Sequence, residues 1–501
     1  MNKTIALALL LVLVGCGTQK EDDVVIPWVS PGGGEGGAPN QPGGDDDDPT
    51  PVLPPYKVDC KKTVSTASWT SYEARTVYCI EGFSPKADPE VDQYGGWKGT
   101  NVGNADGFFR TRKIGNRWWL VDPLGNLFLS KAVAVFSPGS SSRQQQNIKN
   151  KFGSNSAWAQ AEMGFLRDLS FNSLGAWSQV DIVKNCPEPM PYTVILSPMG
   201  TYNGALKAQG AESEGYKAAG WEGYPYDFAM VFNPEFDNYV ESTISKASSY
   251  KNDKYLIGYF IDNEIPWKDY ALERCLTKWP STHINHQKAQ EWLDQRKGKT
   301  GASFSEATIA DKKAFIAYCY DVYLEKVTTA LKKYDPNHLF LGDRFNQWSY
   351  ELVNDQMFIT AGKYVDVVSI NHYQRWQPDA EQMAKWGNWA EKPFLVTEFY
   401  TKGLDSGMGN TSGAGWVVKT QADRGLFYEN FVNELIKSGN CVGWQWFTYM
   451  DNDPTNTGSD DSNVDSNKGI VTWDCQRYED LISRMREINE CTYNLTRFYD
   501  K

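Results

Sequence analysis

From about residue 127 onward, apolar and polar positions follow a repeating alternation of short solid runs and longer amphipathic stretches. The runs are LFLSKAVAVF (127–136), NSLGAW (172–177), YTVILSP (192–198), YLIGYFIDNE (255–264), LFLGDRF (339–345), VDVVSINHY (365–373), PFLVTEFY (393–400) and CVGWQWFTYMD (441–451). Unbroken apolar runs of this length predict strands buried on both faces. Between them the period becomes helical. KKAFIAYCYDVYLEKVTTALKKYDPN places Phe315, Cys319, Val322, Val327 and Leu331 on one face and stops at Asp335-Pro336-Asn337. GLFYENFVNELIKSGN behaves in the same way and stops at Gly439. Eight buried strands alternating with helices predict an α/β fold, a (β/α)8 TIM barrel over residues 121–501. The competing fold is a doubly wound open sheet, but no Gly-rich turn follows the first strand.

Upstream the pattern changes. DGFFRTRKIGNRWWLVDPLGNLFLS alternates apolar and polar and breaks at Gly115-Asn116 and Gly125-Asn126, two hairpin signals. Residues 56–120 therefore predict a short β-rich N-terminal extension. Residues 17–55 carry Gly, Pro and Asp with few core formers, and eight acids against the single Lys20. That composition predicts a solvated tether. Residues 1–16, MNKTIALALLLVLVGC, combine a basic start, a short apolar stretch and Gly15-Cys16. This is a secretory signal, too short for a membrane span. Leu-Val-Gly-Cys resembles a bacterial lipoprotein signal, which implies lipidation at Cys16. Lys20-Glu21-Asp22-Asp23 behind it resembles the acidic signals that send Bacteroidetes lipoproteins to the outer face of the outer membrane. The expected location is the cell surface, with the membrane met through the lipid anchor alone.

Charge narrows the partners. The chain is formally −12, much of it in the tether, so the folded part is mildly acidic. Nucleic acid, which calls for basic patches, is not an expected partner. Besides Cys16 there are eight cysteines, an even number that permits disulfides. Cys60 with Cys79, and Cys475 with Cys491, are candidates by proximity. No C-x-x-C pair occurs, and His283, His286, His338 and His372 form no ligand cluster, so no metal or other cofactor is expected. The acidic loop 451–467 lacks calcium-site spacing and reads as a polar substrate-side loop.

Candidate chemistry sits where strands end. In barrels of this type the active site lies at the C-terminal ends of the strands. Glu264 closes the fourth run and Glu398 the seventh, on opposite sides of a barrel. Two carboxylates across a cleft suit glycosidic bond cleavage, one protonating the leaving oxygen while the other attacks or activates water. A lone Glu at a strand end is more often a cap or an ion-pair residue; two at opposed ends are not so easily dismissed. Arg344 ends the fifth run, where a buried guanidinium needs an anion such as Glu398, a substrate oxygen or a structural partner. His372 and Tyr373 end the sixth run and are expected to offer hydrogen bonds near the nucleophile. Of the aromatic residues ending the eighth run, Trp446 is expected to face the cleft, with Trp177 and Trp267 as further wall candidates.

Asp262-Asn263-Glu264 on the fourth run and Thr397-Glu398-Phe399 on the seventh resemble the acid/base and nucleophile strands of clan A retaining glycoside hydrolases. Within that clan the chain most resembles glycoside hydrolase family 50, the β-agarases. The similar stretches are DGFFRTRKIGNRWWLVDPLGNLFLS, IGYFIDNEIPW, KPFLVTEFYTKGLDSGM and GWQWFTYMDNDPTNTG, lying in that order between Asp106 and Gly458. The resemblance implies Glu264 as acid/base, Glu398 as nucleophile and Asn263 as donor to the sugar 2-hydroxyl. It implies a galactan-type polysaccharide or oligosaccharide, agarose- or porphyran-like, as substrate. Family members commonly carry a large N-terminal β-sandwich; the extension here is too short to hold one. The alternatives are a clan A hydrolase for another β-glycan or host glycan, and a non-catalytic surface glycan-binding lipoprotein. A mere binding protein need keep neither glutamate.

The location is open to direct test. Protease added to intact cells should release the folded part of a surface-displayed lipoprotein. Protection until the cells are lysed would place it on the inner side.

Overall fold

The computed structural model describes residues 52–501 apart from 104, 212, 215–222, 347–352, 457–459 and 461. The signal segment with Cys16, and the tether up to residue 51, lie outside the described residues. The described residues all belong to one compact unit, Pro49–Lys501.

Nine parallel strands make the central sheet: β1 (Ser130–Val133), β2 (Ser173–Leu174), β3 (Tyr192–Leu196), β4 (Leu256–Ile261), β5 (Leu339–Phe340), β6 (Phe345–Asn346), β7 (Val368–Asn371), β8 (Phe394–Phe399) and β9 (Cys441–Trp446). Their spatial order is β5-β4-β3-β2-β1-β9-β8-β7-β6. The order steps through the chain one strand at a time, so the sheet curls progressively. All the residues of β4, β8 and β9 are buried, as expected of strands covered on both faces.

The strand count exceeds the expected eight because the fifth run is split. Leu339 and Phe340 pair with Gly258 and Tyr259 of β4, while Phe345 and Asn346 pair with Ile370 and Asn371 of β7. The break between them holds two left-handed residues, Gly342 at φ +80° and Arg344 at φ +56°. Only glycine adopts that region freely, so Arg344 is held there by its surroundings.

Helices pack outside the sheet in chain alternation with its strands. The amphipathic stretch around 312–337 is the helix Ile309–Tyr334, opened by a Thr308–Asp311 capping box. The stretch around 425–440 is the helix Gln421–Lys437, opened by Thr420 and Asp423 in the same way. Trp158, Phe315, Leu324, Phe431 and Leu435 belong to the large core between these helices and the sheet. A second core joins Ile257, Leu339, Val367, Leu395 and Val442 of the sheet region to Phe109, Leu120 and Phe128. The last three come from an antiparallel meander, Arg110–Ile114, Arg117–Val121 and Leu127–Phe128, whose tight turn is Gly115-Asn116 as the pattern predicted. Because Phe128 lies just ahead of β1, this meander backs the N-terminal ends of the strands. The cavity is left to the other end.

The rest of the extension is stitched into the fold. Tyr56–Lys61 pairs with Thr70–Ala74 and with Trp416–Val418, which in turn pairs with Thr401–Gly403 just beyond β8. The eight described cysteines are all free thiols, so neither pairing suggested by proximity forms. Among the described residues no helix is long and apolar enough to cross a membrane.

Candidate active site

The fourth run ends in Asp262, Asn263 and Glu264, and each acid has a different fate. Asp262 is buried beneath the helix Pro198–Ala208 and accepts from Met199 N (3.0 Å), Gly200 N (2.9 Å) and the Tyr323 hydroxyl (2.9 Å). Free amides at a helix start suit a carboxylate, but burial still pushes Asp262 up to about 7. This acid holds the strand tip. Glu264, two residues on, lines a cavity of about 710 Å³ at the C-terminal end of the sheet. Both residues are left-handed, at φ +62° and +48°, which turns the chain sharply around Asn263. The Glu264 N–H donates to the carbonyls of Asp343 (3.1 Å) and Arg344 (3.3 Å), pinning the turn to the break between β5 and β6.

Glu398, within β8, lines the same cavity. One of its oxygens accepts from Arg344 Nη2 at 2.7 Å and the other from the Tyr373 hydroxyl at 2.5 Å. Burial raises the Glu398 carboxyl above its ordinary value, and the Arg344 charge and the Tyr373 hydrogen bond act against that rise. Burial and the neighbouring carboxylate push Tyr373 well above the phenol range, so it remains a donor. Glu264 is held differently. Its Oε2 accepts from Asn346 Nδ2 at 2.5 Å and its Oε1 from Asn371 Nδ2. The cavity thus holds one carboxyl group paired with a buried cation and another that accepts from two side-chain amides.

Arg344 ties the two halves together. It is fully buried; Nη1 donates to Asn263 Oδ1 (2.8 Å), and Nη2 also reaches the Thr397 carbonyl (3.2 Å). Its guanidinium carbon sits 4.1 Å from the centre of the Trp177 ring. Asn371 Nδ2 also reaches Asn263 Oδ1, at 3.3 Å. With its oxygen turned toward these two donors, Asn263 has its amide NH2 left to face the cavity it lines.

Of the residues singled out from sequence, Asn263, Glu264, Tyr373 and Glu398 line the cavity, and Arg344 touches it through Glu398 and Asn263. Two do not line it. His372 packs behind the sheet between Trp386 and Phe431, with neither ring nitrogen hydrogen-bonded. Trp446 is fully buried against Phe399 and donates Nε1 to the Lys468 carbonyl. Strand alternation explains it: Trp444 and Trp446 face the helices, while Gln445 faces inward and accepts from Ala176 N. The aromatic wall is instead Trp177, 39% exposed, with Phe447 against it. Trp267 turns away, donating Nε1 to Asp343. Loop 451–467 does border the cavity, through Asp451, Asn452, Asp460 and Asn463, and Lys468 just beyond it pairs with Asp460 at 2.6 Å. Asn346, Asn371 and Lys468 escaped notice in the sequence. The only hint was that Asn346 directly follows the fifth run and Asn371 sits close to the end of the sixth.

Fold and site together define a cleft with two carboxylates at the C-terminal ends of parallel strands. No protein-family model matches the chain. Beta-agarase B of Vibrio sp. (strain JT0107) is 25% identical over 517 aligned residues, covering 80% of this chain and 50% of that protein. Beta-agarase A of the same organism is 26% identical over 393 residues, covering 68% and 37%. The chain thus spans half the length or less of these relatives. The crystal structure of BpGH50 matches with a TM-score of 0.77 at 27% identity, covering 89% of this chain and 96% of that one. A solved exo-beta-agarase shares the fold, with a TM-score of 0.68 at 21% identity over 83% of this chain and 69% of that one. The chain is homologous to the beta-agarases and has the mixed α/β fold of the BpGH50 structure.

The buried His372 yields a test of its place. Burial, then the charge of Arg375, pushes its imidazole from 6.5 down to about 3. Between those values the unfolded chain takes up a proton that the folded chain refuses, so stability falls as pH drops from 6.5 toward 3. His372→Leu should make the acid-side loss of stability shallower, by up to ~1.4 kcal/mol per pH unit, while leaving turnover at neutral pH nearly unchanged. Denaturant titrations across that range check the slope; a large loss of turnover in a folded variant would return His372 to the site.

Proposed function

We propose that this protein is a retaining glycoside hydrolase that cleaves β-glycosidic bonds in a galactan-type polysaccharide or oligosaccharide by double displacement. The observation that carries the reading is that two glutamates from opposed strand ends line one cavity, one of them bonded to a buried guanidinium. Glu398, whose ionised form the Arg344 charge and the Tyr373 hydrogen bond favour against burial, attacks the anomeric carbon. Glu264 gives its proton to the leaving oxygen as the glycosidic bond breaks. It then takes a proton from the water that releases the sugar from Glu398. The amide of Asn263 donates to the sugar 2-hydroxyl beside the reacting carbon. The exposed face of Trp177 offers a platform for the C–H face of a ring. Kinship with the beta-agarases supports a galactan as substrate.

Two further readings belong with this one. The curled sheet is read as a closed (β/α)8 barrel, supported by β5 and β6 being parts of one run that bond to opposite neighbours. The chain is read as a lipoprotein anchored through Cys16 and displayed on the outer membrane, which would bring the cavity to polymers too large to enter the cell.

Azide separates the two roles. Glu264→Ala should retain far more activity on an activated aryl glycoside than on polysaccharide, and azide should rescue it with retained configuration. Glu398→Ala should lose several orders of magnitude on either substrate, and azide should yield the inverted glycosyl azide. Opposite stereochemistry would swap the roles; inversion by the unaltered enzyme would overturn the mechanism.

A further inference from the structure

Asn371 is fully buried at the end of β7 and makes contacts that fix which way its amide points. The Thr397 hydroxyl donates to Asn371 Oδ1 at 2.6 Å. A side-chain amide whose oxygen is held in this way presents its NH2 on the opposite fork. That NH2 donates to Glu264 Oε1, and more weakly to Asn263 Oδ1 at 3.3 Å. Thr397 is itself fully buried in β8, one residue before Glu398. Three strand ends are therefore joined in one line: the residue beside the nucleophile orients an amide of β7, and that amide holds the acid beyond β4.

We propose that Asn371, locked by Thr397, is the positioning residue for Glu264, setting both the direction of its carboxyl group and the pH at which it gives up its proton. The inference rests on the reading of Glu264 as the general acid. Asn371 touches no reacting atom and acts through Glu264. Its N–H favours the ionised carboxylate, so removing that donor makes Glu264 hold its proton to higher pH. Charged and titratable groups of several described elements lie near Glu264. Asp262 lies two residues before it, and Asp343 and Arg344 meet its N–H from the break between β5 and β6. Tyr373, beyond β7, feels the Glu264 charge, and Glu398 of β8 shares the cavity. None of these bonds to the Asn371 side chain or the Thr397 hydroxyl, so both variants leave these charges in place.

The test is the pH profile of kcat/KM on an oligosaccharide, whose poor leaving group needs the acid. Asn371→Ala should move the alkaline limb upward by about one pH unit and lower the plateau. An aryl glycoside with a good leaving group should lose much less. Thr397→Val, which leaves Asn371 in place but unlocked, should move the limb the same way by a smaller amount, and Thr397→Ser should restore it. Unmoved limbs in folded Asn371→Ala and Thr397→Val variants would overturn the proposal, even if turnover fell. Glu264→Gln serves as the control: normal turnover there would mean that the acid assignment itself has failed, a result distinct from an unmoved limb.

Discussion

A guanidinium with no exposed surface is the constraint on which the site depends. Taking Arg344 out of water costs several kcal/mol unless an anion and further acceptors replace the solvent. Glu398, the Thr397 carbonyl and Asn263 supply them, and the Trp177 ring covers one face. Each of those partners needs Arg344 in turn. Without it, Glu398 would be a buried carboxylate with only a phenol for company, and Asn263 would keep only the longer hydrogen bond from Asn371. To present its side chain there, the backbone turns left-handed, and the fifth run breaks into two short strands that serve opposite neighbours. The irregularity of the sheet and the order of the site have one cause.

The strand tips around it follow the same rule, with acids buried only where donors meet them. Asp262 receives two helix-start amides and a phenol, and Asp343 receives the Trp267 indole (2.9 Å) and the Tyr320 hydroxyl (2.7 Å). Burial holds Asp343 up at about 6 even so. Neither is given a chemical role. They anchor the two chain segments that meet at Glu264, so that a left-handed turn can aim its carboxyl group into the cavity.

Much of this was legible in the sequence, for physical reasons that also mark where reading stops. Eight apolar runs gave the positions of the sheet strands, because burial on both faces forbids polar interruptions. Glu264 and Glu398 stood out because acids at the ends of such runs are costly. Tyr373 could be placed by its position at the end of the sixth run. The orientation of a side chain at a strand end was not legible. Trp446 follows the alternation of β9 outward, whereas Trp177, left-handed at φ +59°, turns toward the cavity. His372 looked polar enough for a site yet is kept neutral among aromatic rings. Asn371 and Asn346 were missed because an amide at a strand end carries no charge to explain, and their importance lies in what they touch. The break in the fifth run left one trace, the glycine at 342.

On the proposed double displacement, Glu398 becomes covalently bonded to the sugar. A 2-deoxy-2-fluoro galactoside with a good leaving group should inactivate the enzyme with time, since fluorine slows release more than attack. Peptide mass spectrometry of the digested product should then find the fluorosugar on the peptide containing Glu398, at that residue. A label on Glu264 would reverse the two roles. Steady turnover of the probe, with inverted product and no labelled peptide, would contradict the claim altogether.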